Sequence, residues 1–139
     1  MQDVPNLQKH LQDFLRQTIS IYDASSESFY HGLMLGLYAI MNNRYRITSN
    51  REAGDGRYDI QMMPLNKKMP GILIELKVLR GTVAPENVTE KLTALSEMAL
   101  QQIDEKNYAF EMQDEGITQK MKLGIAFYKK QAEIAYRLD

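Results

Sequence analysis

Hydrophobic positions recur at helical spacing over roughly Pro5 to Ile21, where Leu7, Leu11, Phe14, Leu15 and Ile19 fall on one side. That period predicts an amphipathic helix. The run "YDASSES" follows, and Asp23 or Ser25 can cap a second helix over about Ser26 to Asn42. Tyr30, Leu33, Met34, Leu37 and Met41 form its apolar face. The period then shortens. "RYRITSNRE" is rich in β-branched and aromatic residues and predicts a strand, "AGDG" (53–56) a turn, and "RYDIQMM" (57–63) a second strand. "PLNKKMPG" is a proline-bounded loop, and "ILIELKVL" (72–79) is a third, central strand. A long helical segment is expected from about Val88 to about Glu115, with Val88, Leu92, Leu95, Ala99 and Ile103 as its core stripe and a break near Asn107 and Tyr108. "KLGIAFYKKQAEIAYRLD" closes the chain as two strands around a turn near Lys130 and Gln131. The expected fold is α/β (α+β), order α-α-β-β-β-α-β-β, a central mixed sheet flanked by helices.

Composition narrows the function classes. The 139 residues fit one domain, with an N-terminal helix over 1–22 and a core over 26–139. There is no cysteine, which removes thiolate zinc sites and cysteine nucleophiles and suits an intracellular, cytoplasmic protein. No apolar run approaches the ~20 residues a membrane span needs, so no membrane association is expected. "MQDVPNLQKHLQDF" lacks the basic and apolar regions of a signal peptide. The formal net charge is −1, so contacts with phosphates must be local rather than a general basic coat.

The chemistry concentrates between Ser49 and Val78. Residues two apart on a strand share a face, so Glu75 and Lys77 point one way and Ile74, Leu76 and Val78 the other. Asp59 lies on the preceding strand and comes close to Glu75 if the two strands pair. Two adjacent carboxylates repel, and a divalent cation removes that penalty. A neighbouring lysine can orient an attacking water and stabilise developing negative charge. These are the parts for metal-assisted phosphodiester hydrolysis. An Asp, Glu and Lys at this spacing alone also fits a wet strand carrying a Glu–Lys pair, and the apolar intensity of "GILIELKVL" argues against that.

The longer text is more specific. "SNREAGDGRYDI", "GILIELKV", "ALQQIDEKNY" and "LGIAFYKKQAEI", in this order, resemble the PD-(D/E)xK nuclease superfamily, in the form found as the C-terminal domain of proteins with an AAA-ATPase-like N-terminal region. The resemblance covers roughly Glu27 to Ile134, and Tyr58 stands where the superfamily name has proline. It implies a restriction-endonuclease-like core and a nuclease acting on DNA or RNA. It implies Mg²⁺ or Mn²⁺ held by Asp59, Glu75 and the backbone carbonyl of Leu76, with Lys77 as the catalytic lysine. Glu27 matches a glutamate that often completes the site, and Gln102 a glutamine on the following helix.

Each further candidate has a plain alternative. Glu27 in a first helical turn is favoured by the helix dipole in any case. Gln102 also fits polar packing at the helix edge. His31, one turn after Glu27, reads as a satisfied, half-buried histidine that could orient it. Arg57 shares a strand face with Asp59, and Ser49 and Arg51 are placed at the same cleft as phosphate contacts, with a structural salt bridge or turn as their default. Lys67 and Lys68 read as a solvated loop, and Lys91, Glu97, Asp104, Glu105 and Lys106 as a solvated mixed-charge face. The rival to a nuclease is a catalytically silent module that keeps the fold and binds nucleic acid or protein. A homodimer and an ATPase-like partner region are the further partners the resemblance brings.

Overall fold

A computed structural model of the chain describes residues 4–21, 26–52, 57–105, 115–129 and 131–139. The elements run α1 (Val4–Ile21), α2 (Ser26–Met41), β1 (Tyr45–Glu52), β2 (Arg57–Pro64), β3 (Gly71–Val78), α3 (Pro85–Glu105), β4 (Lys120–Tyr128) and β5 (Gln131–Leu138). This is the order that the hydrophobic pattern predicts. The five strands form one mixed sheet, β1-β2-β3-β4-β5. β3 pairs antiparallel with β2 and parallel with β4, and β1–β2 and β4–β5 are antiparallel. The parallel step needs a crossover, and α3 lies within it. β3 is the central strand, as expected for the most continuous apolar run.

Helices cover both faces. On one face, Leu11 and Leu15 of α1 and Leu33, Leu37 and Met41 of α2 pack with Ile47, Ile60, Met62, Ile72, Ile74, Leu76, Leu123 and Ile125. The alternate positions meet α3 in two smaller clusters. Leu73 packs with Leu100, Ile103, Ile117 and Ala135, and Ala126 packs with Val83, Val88 and Leu92. α3 rests on β4 and reaches β3 and β5. Gly124 permits this, because a Cβ there would collide with the Ser96 carbonyl oxygen and lie 2.6 Å from the Leu100 nitrogen.

The differences from the sequence reading are local. Glu115 sits in a turn with Gly116, whose φ is +87°, and not in a helix. The positive φ suits glycine, and α3 as described ends at Glu105. The break expected at Asn107 and Tyr108, the "AGDG" turn, and Lys106 and Lys130 lie outside the described residues. At the last hairpin, Lys129 takes φ +54°. His31 is exposed rather than half-buried. Asp104 is no bystander on a solvated face, because it binds Lys122 and Arg137 at 2.7 and 2.6 Å. Among the described residues no helix is long and apolar enough to cross a membrane.

Candidate active site

Register brings two distant carboxylates together. β2 and β3 pair so that Asp59 stands directly opposite Glu75. Cα atoms of facing antiparallel residues lie roughly 4.5–5.5 Å apart, with both side chains on one face. That face is the one α3 packs on, since Ile60 and Ile74, the next pair along, belong to the opposite core. Lys77 shares the face of Glu75 two residues on, beside Ala126 of β4. Glu75 is fully buried, Asp59 is 7% exposed, and Lys77 is half-buried. Buried charge is costly unless engaged, and each of these three side chains has interaction partners. Leu76 is fully buried on the other face, between Tyr58 and Ile125 in the ladder.

Gln102 stands on the wall of this face. Asp104 of α3 reaches Lys122 of β4 and Arg137 of β5, which fixes the β5-facing flank of the helix. Gln102 precedes it by two residues, about 200° around a helix of 3.6 residues per turn. It therefore lies on the helix flank turned away from β5. Its side-chain oxygen Oε1 is buried and accepts no hydrogen bond. Sequence reading placed Gln102 at the edge of the Ala99 and Ile103 stripe. Both of those are buried, and Gln102 is half-buried between them and solvent.

The remaining candidates separate by register. Ser49 pairs with Ile60 and Arg51 with Tyr58, while Asn50 stands opposite Asp59. Alternation therefore puts the Ser49 and Arg51 positions on the face away from Asp59, against the expectation that both line the same cleft. Arg57, two residues before Asp59, keeps the Asp59 face and pairs with Glu52. The side chains of Arg51, Arg57 and Glu27 lie outside the described residues, and Glu27 occupies the first turn of α2. Asn50 and Gln61 carry no motif signal in the sequence. Only the pairing of Asn50 with Asp59 and of Gln61 with Leu73 places them on this face.

The donor set suits a hard cation. Among the described residues no cluster of three or more His, Asp or Glu side chains forms a protein cage. Mg²⁺ commonly uses only one or two carboxylates and leaves its other positions to water and substrate phosphate. Asp59 and Glu75 could be that pair; Gln102 Oε1 is a buried acceptor that no described residue bonds.

A family model described as the PD-(D/E)XK nuclease superfamily matches residues 25–136. No curated protein and no solved structure matches the chain. The match begins after α1 and includes α2, β1 to β4, α3 and β5 as far as Tyr136.

Proposed function

Because the chain belongs to the PD-(D/E)XK nuclease superfamily, we propose that it is a divalent-metal-dependent nuclease that hydrolyses phosphodiester bonds of DNA or RNA. The observation that carries the reading is the facing pair Asp59 and Glu75 with Lys77 on the same strand face. Asp59, Glu75 and the Leu76 carbonyl hold Mg²⁺ or Mn²⁺, with Glu27 completing the set. When bound, the metal neutralises the carboxylate pair and polarises the phosphodiester.

The chain's own groups do the rest. Lys77 orients the attacking water and places its ammonium where negative charge grows on phosphorus. Gln102 directs its free carbonyl oxygen toward the same space and holds water or metal in place. Arg57, two residues from Asp59 on the same strand face, engages a neighbouring phosphate. Burial of Glu75 and Asp59 lowers the local dielectric, so each of these interactions is stronger than in water.

Titration with Mn²⁺ by calorimetry tests the site. The wild-type chain should bind, and Asp59→Asn and Glu75→Gln should not, while both keep the wild-type circular dichroism in chelator. Lys77→Ala should keep metal binding and lose about 10²–10⁴-fold in cleavage of mixed DNA and RNA substrates. Unchanged Mn²⁺ binding in both carboxylate variants would sink the assignment. A folded wild type that ignores millimolar Mn²⁺ would favour the non-cutting module.

A further inference from the structure

Among the described residues α3 packs on β3, β4 and β5 and Met63 of β2 joins its cluster, while on the same face the β1 edge stays open at Arg46 and Thr48. On that open edge the alternation is clear. Tyr45 and Ile47 are buried in the core under α1 and α2, while the alternate residues Arg46 and Thr48 are exposed. Arg46 pairs with Met63, Thr48 with Gln61, and Asn50 with Asp59. Arg46 and Thr48 therefore share the face of Asp59, and Gln61 and Met63 run beside them, both half-buried. The Arg46 side chain makes no hydrogen bond or ion pair with a described residue.

We propose that this open β1 edge is a track for the nucleic-acid backbone, with Arg46 and Thr48 holding phosphates upstream or downstream of the bond at Asp59 and Glu75. The proposal rests on the nuclease reading for its direction, and its chemistry stands apart from it. The strand rises about 6.8 Å for each pair of residues, so Arg46 lies ~13 Å from the Asn50–Asp59 row. An arginine there reaches a phosphate beyond the one at the cut, and it brings local positive charge to a chain whose net charge is −1. The threonine hydroxyl donates to the phosphate between. A polar strip without aromatic side chains grips backbone and not bases, which fits contact that is indifferent to sequence.

Fluorescence anisotropy tests the track with the full chain in chelator, so that probes stay intact. A labelled single strand and a labelled duplex of about 20 nucleotides are each titrated over a salt series. Arg46→Ala should weaken binding roughly tenfold and reduce the salt slope by about one phosphate contact, ~0.9 for duplex and ~0.7 for single strand. Thr48→Val should weaken it a few-fold. Lys9→Ala, an exposed α1 position in the opposite helix layer, should change nothing. Thermal midpoints should stay at the wild-type value.

The same variants are then assayed for cleavage with Mn²⁺. Wild-type cutting together with unchanged Arg46→Ala affinity and slope overturns the track and leaves the nuclease standing. No cutting by the wild type, with the Arg46 effect present, keeps the track and removes the nuclease. A wild type that binds neither probe overturns the track outright.

Discussion

A buried carbonyl oxygen without a hydrogen bond, as at Gln102 Oε1, costs about 1–3 kcal/mol. Folding alone gives no reason to keep that cost, whereas a ligand that fills the gap does. Gln102→Met keeps the volume and drops the polar group, so stability should rise by about 1 kcal/mol in urea unfolding. Cleavage by the same variant should fall at least tenfold. Lower stability in Gln102→Met would mean that the amide is already satisfied, and its role at the site would fall. At this scale the sequence was readable where strand alternation decides and blind where register does. Glu75 and Lys77 share a face because they lie two apart, and Asp59 needed only the pairing of neighbouring strands. Ser49 falls on the other face because one residue of register decides the side, and it is Asn50 that stands opposite Asp59 in the ladder.

Between elements, the closest approach is α3 on β4, and Gly124 allows it. Gly124 stands beside Glu75 in the ladder and under Ser96 and Leu100 of the helix. The clash at an added Cβ is with helix backbone, which cannot rotate away. Gly124→Ala should therefore lift α3, cost about 1–3 kcal/mol and carry Gln102 with it. Urea midpoints and cleavage rates should fall together in this variant. A stable Gly124→Ala protein with wild-type activity would mean that α3 does not set the site. The order of elements was legible because each has its own period, 3.6 or 2, and the punctuation between them is proline and glycine. The end of α3 was less legible, since charged residues continue past the core stripe without a strong stop. The partners of Asp104 were invisible because Lys122 and Arg137 lie 18 and 33 residues away in the chain.

For the whole molecule, those partners tie the last strand to the rest of the fold. Lys122, 6% exposed, donates to Asp104 at 2.7 Å and to Asp139 at 2.6 Å. Arg137 bonds both oxygens of Asp104 and reaches Asp139 at 2.8 Å. Backbone bonds between Lys120 and Asp139 close the same corner. The Arg137 hydrogen bonds, and then that of Lys122, hold the Asp139 carboxyl down at about 2. Asp104 is likewise lowered, first by Arg137. A carboxylate whose pKa is depressed on folding adds stability above its unfolded value, near ~3.9, and that stability is lost as pH falls toward the folded value. The clasp should therefore hold unchanged from neutral pH down to about 4 and loosen between about 4 and 2. Asp104 and Asp139 are 41% and 36% exposed, so screening limits each to at most about 1 kcal/mol. Urea midpoints measured from pH 7 to pH 2 should show this acid limb. Asp104→Asn should be less stable than wild type at pH 7, and the difference should shrink toward pH 2, as the wild-type carboxylates take up protons. A wild-type–variant gap that stays constant across that range would mean that the ion pairs contribute nothing and that packing alone closes the corner.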